Sequence, residues 1–139
     1  MEYILDSSVI IKWFSHKNEK HVEKALIILN LLKEQKVKIF IPELSLYEIS
    51  NALRFNNNFT RHEVSKILKT LMDLELNILF LNREIIDTAL EFAYKESVTV
   101  YDAVFIAISF ILKIPLITAN PKHQKLTKTR NITIPLEDF

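Results

Sequence analysis

A chain of 139 residues, about half apolar and a quarter charged, has the size and balance of one ordinary globular domain with one core. It contains no cysteine, which excludes disulfides, thiolate zinc sites and cysteine nucleophiles, and no glycine, which excludes the glycine-rich phosphate loops. With 18 basic against 17 acidic side chains the net charge is +1, so bulk charge decides nothing about nucleic acid. In chain order, Tyr3 to Leu5 is a short apolar run that reads as a buried strand stopping at a polar turn, Asp6-Ser7-Ser8. Val22, Ala25, Leu26, Leu29 and Leu32 recur at helical spacing, which predicts an amphipathic helix from about His21 to Gln35. Val37 to Ile41 is β-branched and aromatic and ends at Pro42, a second strand. Leu44 to about Arg54 is a helix, and the three asparagines 56 to 58 make a turn. Thr60-Arg61-His62-Glu63 has the capping-box form and opens a further helix.

Asn77 to Leu81 reads as a third strand. Asn82 caps a helix with the stripe Ile85, Ile86, Ala89, Leu90, Ala93. Thr99 opens a helix running to about Lys113 that is apolar on most sides, the mark of a buried helix. Leu116 to Thr118 is a fourth strand, and Ile132 to Ile134 an edge strand. Strands alternating with helices predict an α/β domain over residues 1–139: a doubly wound, three-layer α/β/α fold with a mainly parallel sheet of four or five strands. No apolar run reaches the roughly 18 residues of a membrane span. The N-terminus has no signal-peptide character, so the expected location is cytoplasmic.

Three acids stand in apolar surroundings: Asp6 after Tyr-Ile-Leu, Glu48 within Ser-Leu-Tyr-Glu-Ile-Ser-Asn, and Asp102 within Val-Tyr-Asp-Ala-Val. Buried carboxylates are costly unless paired or bound to metal. Two of them about 4 Å apart repel by roughly 4 kcal/mol at an effective dielectric near 20. Three converging would call for a cation, and oxygen donors suit Mg²⁺ or Mn²⁺. A metal so held serves phosphodiester hydrolysis. Each acid has a plainer reading too. Asp6 can simply end a strand, Glu48 can lie on a solvated helix face, and Asp102 can be a first-turn acid favoured by the helix dipole.

The order of four motifs resembles the PIN-domain family, and most of all its VapC-type toxins and archaeal relatives. These motifs are Asp-Ser-Ser after the first strand, Glu with Asn three residues on, Tyr-Asp-Ala opening a late helix, and Thr-Ala-Asn after the next strand. The resemblance implies a metal-dependent endoribonuclease using Mg²⁺ or Mn²⁺. Asp6, Glu48 and Asp102 would be the metal-binding acids, and Asn120 would stand at the fourth catalytic position. Ser8, Asn51 and Thr118 would support them. The resemblance also implies a homodimer and a small antitoxin partner. The fourth position is usually Asp; Asn120 brings no charge, so a catalytically weak module acting through a protein partner is the alternative. Lys122, His123, Lys125, Lys128 and Arg130 follow Asn120 with no acid between Pro121 and Leu136. Lys122, Lys125, Lys128 and Arg130 are the candidate RNA contacts, with a solvated loop as the plainer reading. Trp13 and Phe14 are either base-stacking residues or core and dimer contacts.

Overall fold

A computed structural model describes residues 1–120 and 132–139. Within them the chain runs β1 (Glu2–Leu5), α1 (Ser7–Ile11), α2 (Val22–Lys33), β2 (Lys38–Pro42), α3 (Leu44–Arg54), α4 (Arg61–Asp73), β3 (Asn77–Leu79), α5 (Arg83–Glu96), α6 (Val100–Leu112), β4 (Leu116–Thr118) and β5 (Thr133–Pro135), and closes with a 3₁₀ turn at Leu136–Asp138. Among the described residues, the five strands form one parallel sheet in the order β3-β2-β1-β4-β5. The α/β reading and the parallel sheet therefore hold.

Side chains alternate across the sheet as strand geometry requires. Tyr3 and Leu5 of β1, Ile39 and Ile41 of β2 and Ile117 of β4 pack on one face with residues of α1 to α4. Ile4 and Leu116 point the other way, into a second core with α5 and α6. Helix α6 is buried continuously from Ala103 to Ser109, as its apolar character predicts. A fully buried Phe or Ile contributes roughly 1.5–3 kcal/mol, so Phe105, Ile106 and Ile108 anchor this layer.

Three of the long helices, α4, α5 and α6, start where a side chain caps them. Thr60 and Glu63 form a reciprocal capping box, with Glu63 N donating to Thr60 Oγ1 at 3.2 Å and Thr60 N to Glu63 Oε2 at 2.6 Å. Asn82 Oδ1 accepts from Ile85 N at 2.9 Å, and Thr99 Oγ1 from Asp102 N at 3.1 Å. Where other chains use glycine at a left-handed helix end, this one uses Ser97 (φ 54°) and Lys113 (φ 56°).

Two expectations need correction, and for Trp13 and Phe14 the core reading holds over base stacking. Asp6-Ser7-Ser8 is not a plain turn, because Ser7 starts the short helix α1 with Asp6 as its N-cap residue. Five residues are too few to show a helical period, and the β-branched Val9, Ile10 and Ile11 argue against helix. Burial of Val9 and Ile10 overrides that preference. The edge strand is shifted by one residue, to Thr133–Pro135, and Ile132 O accepts from Leu116 N just before it. Trp13 is not available for base stacking: it is buried, and its Nε1 donates to Ala25 O at 2.9 Å. Phe14 likewise packs against the core.

Candidate metal centre

In a doubly wound sheet, ligands bind beyond the carboxyl ends of the strands, where the strand order reverses. Here the chain starts at β1, lays β2 and β3 to one side, then crosses to β4 on the other. The reversal lies between β1 and β4, and both strands end there on polar residues: Asp6 directly after β1, and Thr118 closing β4.

The two ends are knitted around one carboxyl. Asp6 N donates to Ile117 O at 3.0 Å. Ser8 Oγ donates to Asp6 Oδ2 at 2.6 Å, and Thr118 Oγ1 to the same oxygen at 2.8 Å. Each hydroxyl is itself oriented by a backbone N–H. Ala119 N donates to Ser8 Oγ at 3.1 Å and Asn120 N to Thr118 Oγ1 at 3.0 Å. A hydroxyl has a single proton. With its acceptor side occupied, that proton is directed to Oδ2. Among the described residues no side-chain donor reaches Oδ1.

Glu48 comes from α3 and Asp102 from the first turn of α6, both half-buried. Burial pushes the Asp6 carboxyl above the ordinary aspartate range, the Ser8 and Thr118 hydroxyls pull it back, and the Asp102 charge pushes it up again. Burial raises Glu48 as well, opposed by the nearby Ser7 hydroxyl and reinforced by the charges of Asp6 and Asp102. The structure thus brings all three acids within electrostatic reach of one another. No basic side chain among the described residues pairs with any of them. They do not stand as a preformed ligand cage, since among the described residues no three acidic or imidazole groups are spaced to hold a metal. Repulsion between like charges opposes closing such a ring until a cation enters.

The donor set nevertheless suits a hard divalent cation: carboxylate oxygens, hydroxyls, and no sulfur or imidazole. The buried Ser7 Oγ also lacks a partner at hydrogen-bond geometry. Ser7 was missed by sequence reasoning, and its place between Asp6 and Ser8 is the signal that would have found it. Asn51 is exposed one turn beyond Glu48, in an open groove that also includes Arg54 and Tyr101. Asn120 is exposed at the rim, and its side chain makes no hydrogen bond to the acids among the described residues. Lys122, His123, Lys125, Lys128 and Arg130 lie outside the described residues.

The PIN domain family model matches residues 3–128. The chain belongs to the PIN domain family. All the acids named above, and Asn120, fall inside the matched span of this PIN domain. Comparison with curated protein sequences finds no significant match. Among solved structures, the PIN domain is similar to VapBC2 from Rickettsia felis bound to a DNA fragment from its promoter, at 16% identity and TM-score 0.71, covering 97% of this chain and 98% of that one. It is similar to a toxin–antitoxin complex from Klebsiella pneumoniae, at 14% identity and TM-score 0.70, covering 99% of each chain. It is similar also to Mycobacterium tuberculosis VapC20, a sarcin–ricin loop cleaving toxin, at 12% identity and TM-score 0.65, covering 84% of this chain and 87% of that one. At these identities the likeness is one of fold. Among the described residues, no helix is long and apolar enough to cross a membrane.

Proposed function

We propose that this PIN domain is a metal-dependent endoribonuclease and the toxin half of a toxin–antitoxin pair. The observation that carries the reading is the Asp6 carboxyl at the sheet's reversal point. It is held through one oxygen by Ser8 and Thr118, near Glu48 and Asp102, with no basic partner among the described residues. Asp6, Glu48 and Asp102 would hold Mg²⁺ or Mn²⁺. When bound, such a cation supplies positive charge to a phosphoryl oxygen and acidifies water. The chain's own residues do the rest. Ser8 and Thr118 fix the plane of the Asp6 carboxylate and keep Oδ1 turned away from their network. Ser7 favours the charged form of Glu48. Hydrolysis breaks one P–O ester bond and leaves a phosphate monoester and a hydroxyl.

The fold relatives support the role by analogy: one is a sarcin–ricin loop cleaving toxin, and another belongs to a toxin–antitoxin complex. RNA as substrate, an antitoxin partner, a homodimeric assembly and a cytoplasmic location come with that role. Lys122, Lys125, Lys128 and Arg130 would meet the phosphates flanking the cut. Asn120 favours the second reading, a weakened nuclease acting through its protein partner, because an amide at the fourth position adds no charge to the metal site.

The test is cleavage of single-stranded RNA by the purified chain with Mn²⁺. Asp6→Asn and Asp102→Asn should each lower the rate by at least a hundredfold. Cleavage that survives both substitutions refutes the assignment.

A further inference from the structure

Ser7 faces two of the acids at once. Its backbone N–H is turned toward the Asp6 carboxyl, and its hydroxyl lies beside Glu48 of α3. The local fold explains the placement. Asp6 is the N-cap residue of α1, so Ser7 opens that helix directly after β1. Helix α1 packs on α3, and Val9, Ile10, Ile49 and Leu53 share one core. Ser7 is 3% exposed. Its Oγ is buried, yet no partner among the described residues meets it at hydrogen-bond geometry. Its neighbour Ser8 is fully engaged, donating to Asp6 Oδ2 and accepting from Ala119 N. A buried hydroxyl without a partner destabilises a fold, and native proteins hold few of them. Alanine at this position would avoid the penalty and is the better helix former. The Ser7 hydroxyl therefore points to an engagement that the metal-free arrangement lacks.

We propose that Ser7 is a positioning residue for the metal site: when a divalent cation draws the acids together, its hydroxyl donates to the Glu48 carboxylate and holds that acid in its ligating position. The inference rests on the nuclease reading above and specifies how the open ring of acids closes. The hydroxyls of Ser8 and Thr118 are already committed to Asp6. Glu48 has no basic partner among the described residues. Like charge resists its approach to Asp6 and Asp102, and a cation reverses that balance. A donor on one carboxylate oxygen then fixes which oxygen turns to the cation. A hydrogen bond to an ionised acceptor is about twice as strong as a neutral one, so the contact gains most once Glu48 is charged and bound. Ser7 thus acts on the cation only through Glu48.

The experiment titrates the full chain with Mn²⁺ in a calorimeter and melts the same proteins without metal. Ser7→Ala should weaken Mn²⁺ binding roughly tenfold, as loss of one hydrogen bond to a charged group implies. Its metal-free melting temperature should be equal to the parent's or higher, because no partner is lost in that state. Ser7→Thr keeps the hydroxyl and should bind Mn²⁺ within about threefold of the parent. Unchanged Mn²⁺ affinity in Ser7→Ala overturns the proposal. A lower metal-free melt, or loss of a cooperative melt, also overturns it, because the hydroxyl would then serve the fold itself. Equal losses of affinity in the alanine and threonine variants overturn it too, since they would follow from shape and not from the proton. The parent is scored separately. If it binds Mn²⁺ and cuts RNA while Ser7→Ala binds equally well, the nuclease reading stands and only the role of Ser7 falls. If the parent binds no Mn²⁺, the nuclease reading fails and this inference falls with it.

Discussion

Asp6 carries a contradiction within one side chain. Burial favours its neutral form, while both hydroxyl protons around it are aimed at a carboxylate oxygen. Burial and like charge win, so its folded pKa lies above the ordinary value, and Glu48 shifts the same way. A carboxyl with a raised folded pKa favours folding most below its unfolded pKa, and that contribution is lost as pH rises through the folded one. The metal-free chain should therefore lose stability as pH climbs from the ordinary carboxyl range toward neutrality. Asp6→Asn removes the charge and keeps the shape: its Oδ1 accepts both hydroxyls. Thermal melts without metal should show this variant above the parent at pH 7, by roughly 2–8 °C for each kcal/mol regained, and with a flatter pH profile. A variant that melts lower at pH 7 would mean that the carboxylate is stabilised by something other than an absent cation. The acids themselves were legible because each interrupts an apolar run. Their mutual reach was not, because it depends on which strands lie side by side.

Elements with a chemical start signal were read from the sequence at the right places, since Thr60, Asn82 and Thr99 each cap a helix through their own side chain. The short helix α1 was not, since it has no room for a period and is held by packing. The absence of glycine has a cost at helix ends. Lys113 follows α6 at φ 56° and Ser97 follows α5 at φ 54°, and a residue with a Cβ pays roughly 1–2 kcal/mol in this region. Lys113 is exposed, so a glycine there gives up no buried contact. Lys113→Gly should raise the free energy of unfolding by about 1 kcal/mol, because relief of that strain exceeds glycine's extra chain entropy. Urea titration would read this as a higher midpoint at an unchanged slope. No gain would mean that the lysine side chain supports the helix end.

At the scale of the whole molecule, the sheet's winding order turns separate sequence signals into a site. Residues 6 and 118 are far apart in the chain, yet they share a hydrogen bond because β1 and β4 are neighbours at the point of reversal. The carboxylates gathered there act on one another across three elements, so the site's net charge is a property of the fold rather than of any residue. A cation that binds only the folded form must then stabilise it in proportion to its affinity. At a hundred times its Kd the gain is about 2.7 kcal/mol. Mn²⁺ should raise the melting temperature of the parent and leave Asp6→Asn unmoved. On the proposed reading, residue 120 sets how strong that effect is. It stands at the same rim with its side chain exposed, where an added carboxylate would increase the negative charge offered to a cation. Asn120→Asp should therefore melt no higher than the parent without metal, since it adds one more like charge. With saturating Mn²⁺ it should gain more than the parent does, and calorimetry should find tighter binding. Equal Mn²⁺ affinity in the two proteins would place residue 120 outside the metal's reach, and the weak-nuclease reading would then lose its physical basis.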